Sequence, residues 1–425
     1  MSEAQTIVWS APALLVAGSL LVATPAPAQT VEELRELIEL QRQQIEQQAR
    51  QLEVLEGRLD ELEAQAIDVE EPPPATVLPP SVVAEEARVR SGDTGVSLAI
   101  SGQINRMVTV ADDGDDTKVF SVDNTNSSSR IRFVGTASPT EEITVGTLLE
   151  AELRSNASTE VSQLDEDTGT ANFRDRHVDI FVEHEALGKL SLGQGSTAYD
   201  GATQVDLSGT SVIAYSGIAD LAGGLLFFDD DLDALSDTSI GTVFNSFDGP
   251  RLDRLRYDTP RFAGFTLSGD LAADQRWSTA LRWAGKTSAW RAVAAAAYAD
   301  PGGDRDWVVN SSASLLHEAT GVSVTAAASG RDNSGRDNGF YLYGKLGWQR
   351  DLFSFGRTFL SLDYARSDDV AVEGDEATSV GLFAVQTVHD FGIDVYGGYR
   401  FHRLDRDTAS FDDIHTFTLG SRVRF

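Results

Sequence analysis

From Gly95 to its last residue the chain alternates apolar and polar positions with period two. The runs are about nine to twelve residues long, longer than a usual globular strand and the length of a tilted strand that crosses a bilayer. "EITVGTLLEAEL" puts Ile143, Val145, Leu149 and Leu153 on one face and Glu150, Glu152 and Arg154 on the other. "FYLYGKLGW" sets Phe340, Leu342, Leu346 and Trp348 against Lys345, and "GIDVYGGYRF" sets Ile393, Val395, Tyr399 and Phe401 against Asp394 and Arg400. The alternation persists into the closing "HTFTLGSRVRF", where Phe417, Leu419, Val423 and Phe425 share one file and Arg422 and Arg424 lie in the other. A chain end is usually the first part of a domain to fray. One that keeps its pattern to a terminal Phe predicts a strand that must pair.

The segments between the runs alternate in kind. "SPTEE" (138–142), "TPRFAG" (259–264) and "HDFG" (389–392) are minimal, whereas "ADDGDDTKVFSVDNTNSSS", "ASTEVSQLDEDTGTAN", "ADPGGDRD" and "RSDDVAVEGDEA" are long and acidic. Short turns at one end and longer loops at the other describe an outer-membrane β-barrel. Aromatics near the strand ends, as in "RYDTPRFAGF" and "LGWQRDLFSFG", suit the two interfacial girdles of such a barrel. A soluble sandwich or solenoid would alternate as well, but its charged file would look at bulk water. The pattern therefore predicts an all-β fold, a transmembrane antiparallel β-barrel of about sixteen strands over 93–425. No apolar stretch long enough for a membrane helix interrupts it.

The first ninety residues read differently. "APALLVAGSLLVATPAPA" is a secretory apolar core ending in an A-x-A-type cleavage site at Ala26–Ala28, so 1–28 reads as a signal peptide, although the preceding "MSEAQTIVWS" lacks the usual basic residues. Leu34, Ile38, Gln41, Ile45, Gln48, Leu52, Leu55, Leu59 and Leu62 then recur in alternating steps of three and four, the seam of an α-helical coiled coil over 29–71 that needs partner chains. Gln41 and Gln48 are polar residues in that seam, of the kind that fixes register and oligomer number. Five prolines between Pro72 and Pro80 end the helix and make 72–92 a proline-rich linker.

Charge and composition exclude whole classes. The chain carries 66 Asp+Glu against 34 Lys+Arg, a formal charge of -32, so nucleic acid is not an expected partner. It has no cysteine, hence no disulfide framework, thiolate metal site or cysteine nucleophile. The six histidines fall in no H-E-x-x-H spacing and no G-x-S-x-G elbow is present. "DDGDD" and "DEDTG" lack the full spacing of a calcium loop and read better as solvated acid. No enzyme, cofactor or metal site is predicted.

Several motifs resemble the Gram-negative outer-membrane porins. "SRIRFVGTASPTEEITVGTLLEAELRS" resembles an early porin hairpin, "FRDRHVDIFVEHEALGKLSLGQGSTAYDG" the hairpin that leads into the constriction loop, and "RLDRLRYDTPRFAGFTLSG" the strand–turn–strand after it. "FTLGSRVRF" resembles the assembly signal of the superfamily, with Phe417, Leu419, Val423 and Phe425 as its apolar file. With the coiled coil, the subgroup most similar is the DcaP-like trimeric porins. The resemblance implies a sixteen-stranded homotrimer that passes small hydrophilic solutes, favouring small anions such as dicarboxylates. It also implies contact with outer-membrane lipid and lipopolysaccharide, insertion by the outer-membrane assembly machinery, and a periplasmic coil that clamps the trimer or approaches peptidoglycan.

The residues support a pore on their own account. The segment about 196–250 has little strand pattern, and an ordered loop of that length is uncommon and usually functional. By resemblance it is the constriction loop, with Asp200, Asp206 and Asp220 as its acids; an external cap is the alternative. Opposite it a basic wall is expected. Arg130 and Arg132 share one parity, as do Arg254 and Arg256, while Arg174 and Arg176 fall in the same file as Val178, Ile180 and Val182 and so have no clear face. A ring of arginines in a narrow pore favours anions and suits carboxylates; alternatively some of them pair with Glu150, Glu152 or Asp253 and only brace the wall. The rival function is an envelope tether or adhesin in which the barrel serves only as an anchor.

Overall fold

The computed structural model describes residues 87–91, 95–168 and 172–425. The signal peptide (1–28), the coiled-coil seam from Leu34 to Leu62 and the linker as far as residue 86 lie outside the described residues. The strands are β1 (Ala87–Ser91), β2 (Val96–Asp112), β3 (Thr117–Asp123), β4 (Arg130–Ala137), β5 (Ile143–Arg154), β6 (Asn172–His184) and β7 (Gly188–Ser196). A separate hairpin, β8 (Leu226–Asp229) and β9 (Ala234–Ser239), follows within the long loop. Then come β10 (Arg251–Asp258), β11 (Phe265–Ala272), β12 (Trp277–Lys286), β13 (Trp290–Asp300), β14 (Val308–His317), β15 (Val322–Arg331) and β16 (Gly339–Phe353). The wall finishes with β17 (Gly356–Asp368), β18 (Glu376–Val388), β19 (Ile393–Asp405) and β20 (Ile414–Arg424).

Each wall strand pairs antiparallel with the next, and the sheet closes where β20 meets β2, from Gln103↔Arg424 to Asp112↔His415. Phe425 completes the seam, since Gly102 N donates to its carbonyl (2.7 Å) and its own N donates back to Gly102 O (3.0 Å). β3 pairs with the upper half of β2 and β4 with its lower half, so the two fill one wall position, separated by a 3-10 turn at Thr125–Ser127. Counted this way, the wall is a closed antiparallel barrel of sixteen strands. β1, within the stretch read as linker, pairs with Val96–Ile100 of β2 on the edge that β20 leaves uncovered.

The side chains are sorted opposite to those of a water-soluble barrel. Along β16, Phe340, Leu342 and Leu346 are 50–56% exposed on the outer face, while Tyr341, Tyr343 and Lys345 are buried within. Such an apolar outer band matches hydrocarbon, where an exposed Arg or Lys would cost about 2–4 kcal/mol at mid-depth. Aromatic pairs gather near the strand ends: Phe265–Trp283 (6.2 Å), Trp290–His317 (4.5 Å) and Phe353–Phe355 (5.2 Å) at the short-turn end, and Trp277–Tyr298 (5.5 Å) at the other. Among the described residues no helix is long and apolar enough to cross a membrane.

Among the described residues an apolar cluster lies inside the barrel. Val212, Ile213, Leu221, Leu225, Phe227, Ile240 and Phe244 of the long loop pack against the inward-facing Met107, Phe120, Tyr341, Phe383 and Tyr396 of the wall.

Candidate functional site: an arginine wall facing an inward loop

The loop between β7 and β10 follows the inside of the wall. It leaves β7 past Arg256, whose Nη1 donates to Thr197 O (2.9 Å), and past Arg282, whose Nη2 donates to Ala198 O (2.7 Å) and Asp200 O (2.8 Å). It then crosses to β14, where Ser312 Oγ donates to Ala202 O (2.7 Å) and Ser314 Oγ accepts from Leu207 N (2.9 Å). At β16 and β17, Lys345 Nζ meets Asp206 (2.6 Å) and Thr210 Oγ1 donates to Ser361 Oγ (2.9 Å). Val212 O accepts from Asn124 Nδ2 (2.9 Å), and the returning arm reaches β17 and β14 through Val243 O and Phe247 O. Asp248 joins the two arms by accepting from Gly201 N (2.8 Å), Thr203 Oγ1 (2.9 Å) and Gln204 Nε2 (2.7 Å). Burial, then the like charge of Asp200, pushes the Asp248 carboxyl up to about 7.

The basic wall is built around one carboxylate. Glu150, 1% exposed, takes Nε of Arg132 (2.6 Å) and Nε of Arg176 (2.6 Å), and Arg130 Nη1 lies 3.6 Å away. Arg176 also reaches Glu152 (3.4 Å), which holds Arg154 (2.9 Å). The stripe continues across the seam, because Ser127 Oγ accepts from both Arg130 (3.3 Å) and Arg422 (2.9 Å). Arg422 and Arg424 in turn share Asp394 at 2.6 and 3.2 Å. Five guanidinium groups of this stripe thus converge on two carboxylates, Glu150 and Asp394, with Glu152 taking one further contact from Arg176 and its own partner in Arg154.

A family model for Gram-negative porins matches residues 75–407. The chain belongs to the Gram-negative porin family. Among solved structures, the fold is similar to the anion-selective porin from Comamonas acidovorans, with 16% identity, 78% of this chain and 100% of that one covered, and a TM-score of 0.53. It is also similar to the outer membrane channel DcaP of Acinetobacter baumannii (12% identity, 79% and 99% covered, TM-score 0.51) and to the outer membrane protein OmpT of Vibrio cholerae (13%, 80% and 100%, TM-score 0.51). None of the curated proteins compared matches the sequence. The family and the closed wall are those of an outer-membrane channel.

The porin's expected site residues fall into distinct groups. Arg130, Arg132 and Arg176 converge at Glu150. Arg174 sits at the long-loop end and pairs with Glu160 (2.7 Å). The parity of β6, unreadable in sequence, is reset by a bulge: Glu150 faces His177 but Ala151 faces Asp175, which sends Val178, Ile180 and Val182 outward and Arg176 inward. Arg254, 5% exposed, is locked by Asp179 (2.8 and 3.1 Å) and the carbonyls of Gly193 and Ser196, while Arg256 is held by Asp258 (2.7 Å). Of the loop acids, Asp200 lies beside Arg251 (3.6 Å), Asp206 is bound to Lys345, and Asp220 accepts the Tyr215 hydroxyl. Burial pushes the Asp220 carboxyl up to about 6. Phe417, Leu419, Val423 and Phe425 all project from the outer face of β20.

Sequence reasoning passed over Asp179 and Asp248. The first is legible in hindsight, as the polar member between Val178 and Ile180. The second lies in no pattern at all, because its partners are some forty-five residues away along the loop.

Proposed function

We propose that this porin is a water-filled channel for passive diffusion of small hydrophilic solutes and that it favours small anions, dicarboxylates among them. The observation that carries the reading is the crowding of Arg130, Arg132 and Arg176 onto the single carboxylate of Glu150. One carboxylate neutralises one charge, so the stripe keeps a positive excess on an inner wall. Planar guanidinium forks held by their neighbours offer remaining N–H groups to a passing carboxylate without further ordering cost. Asp200 on the loop supplies the opposite sign, so a solute at the narrow point would feel a field across the pore. Carboxylates dominate at the outer end, where Asp231, Glu376, Asp405 and Asp407 line a cavity of about 800 Å³ with Arg406 among them. The selectivity filter would therefore be the inner stripe and not the mouth.

The porin would work as a homotrimer, as the solved trimer form of OmpT from Vibrio cholerae does. The outward Phe417, Leu419, Val423 and Phe425 would carry the assembly signal, and the coil would clamp the trimer on the periplasmic side. Ion selectivity across a salt gradient in planar bilayers tests the anion reading. The wild-type channel is expected to prefer anions, and Arg132→Ala combined with Arg176→Ala to move the reversal potential toward cations. A reversal potential unmoved by that pair of substitutions would remove the stripe from the filter.

A further inference from the structure

We infer that Lys345 and Asp206 form a latch that positions the inward loop, and that this buried pair on the far wall sets the width and charge of the passage at the arginine stripe. The inference rests on the channel reading above. Both side chains are withdrawn from solvent, Lys345 at 0% and Asp206 at 4%. A Lys buried to this degree in a lumen is costly unless its donors are all used. Here the ammonium meets four oxygens of one loop segment: Asp206 Oδ2 (2.6 Å), Ser208 Oγ (3.2 Å), Thr210 Oγ1 (3.2 Å) and Ala214 O (2.6 Å). Residues 206–214 are thus wound around a cation supplied by β16.

The rest of that inner file is shaped to receive the same segment. Two residues above Lys345 stands Tyr343, and two above that Tyr341, whose hydroxyl donates to Ser216 O. Two residues below is Gly347, where a Cβ would come within 2.7 Å of Ser208 Cβ, so only glycine lets the loop approach this closely. Gly209 turns at φ +81° directly against the Phe359 ring of β17, a conformation that L side chains rarely adopt. The loop's backbone is further tied by Ser312 and Ser314, and its Thr210 hydroxyl by Ser361. These fastenings all lie on β14–β17, whereas the arginine stripe is on β4–β6 and β20. The same loop meets the stripe side at Asn124, which donates to Val212 O, so the far-side latch sets how the span between the two anchors lies, and Lys345 contributes by placement, away from the stripe itself.

The test is single-channel recording in planar bilayers with Lys345→Met and Asp206→Asn combined, so that neither charge is left buried alone. The variant is expected to retain the heat-modifiable barrel. It should close to lower conductance levels severalfold more often than wild type, and its anion preference should fall. The chain has no cysteine, so Thr210→Cys with Ser361→Cys gives an unambiguous clamp. Oxidised, this disulfide should restore steady conductance and selectivity to the latch variant, and reduction should abolish the rescue. Wild-type open times and selectivity in an intact double variant would overturn the latch. If the double variant does not fold, Asp206→Asn alone decides: more frequent closures in an intact barrel support the latch, and wild-type open times overturn it. A wild-type protein that inserts without conducting would sink the channel reading, while the latch would still be read by whether Lys345→Met with Asp206→Asn slows oxidation of the Thr210→Cys, Ser361→Cys pair.

Discussion

Arginines of equal parity differ here in what they do. Arg132 keeps about a third of its side chain open and shares one carboxylate with two other guanidinium groups, so it has interaction capacity left for a solute. Arg254 faces inward just as sequence parity says, yet Asp179 and two carbonyls consume its donors. Removing it would strand a buried carboxylate, which costs about 3–5 kcal/mol. Arg254→Ala is therefore expected to lower the unfolding free energy read from a urea titration of the folded barrel by an amount of that order, with little effect on reversal potential; Arg254→Ala with Asp179→Ala should recover part of the loss. A shifted reversal potential with unchanged stability would show that Arg254 belongs to the filter after all. Parity assigns a residue to a face, but whether it is free or spent there depends on a partner that lies dozens of residues away.

At the scale of strands, alternation was readable nearly everywhere, and it failed where the ladder itself is irregular. On β6 a single extra residue opposite Glu150 reverses the file, so Arg176 and Val178 share sequence parity and face opposite sides. β20 is the contrary case, regular to its last residue because closure requires it. A barrel without an open edge needs every backbone group on that strand paired, and Phe425 supplies the final two hydrogen bonds, to Gly102. Deleting Phe425 is expected to reduce the fraction of heat-modifiable, folded barrel in outer-membrane preparations severalfold. Undiminished assembly would mean that the outward aromatic file of β20 carries no signal beyond its own pairing.

At the scale of the whole molecule, buried carboxylates tie the long loop to itself, and loop docking is expected to depend on pH. Asp248 joins the two arms of the loop and titrates at about 7, and Asp220, beneath Tyr215, at about 6, both raised chiefly by burial. An unfolded Asp titrates near ~3.9. Groups whose carboxyl is raised in the folded state favour the protonated form there, so their contribution is complete below about pH 4 and is lost as pH climbs toward 7. Docking of the loop should be tighter at pH 5 than at pH 8, seen as fewer brief closures in single-channel records. Closures that grow more frequent on acidification would place the pH response elsewhere.

What the sequence determined by itself was whatever a periodic pattern can encode. Period two with apolar runs the length of a bilayer crossing specifies a closed transmembrane wall, because only a barrel satisfies every backbone group in hydrocarbon. Alternating short and long spacers set its direction, and parity put Arg130, Arg132, Arg254 and Arg256 on its inner face. The long loop announced itself as the stretch where the pattern stops, and within it only the tertiary structure shows the β8–β9 hairpin and the apolar cluster that holds it in the lumen. Tertiary structure alone decided which charges remain uncommitted. Ion pairing falls off within a few ångströms and ignores chain order, so Lys345 and Asp206, Arg254 and Asp179, and the three arginines on Glu150 become legible only when the wall closes and the loop folds across it.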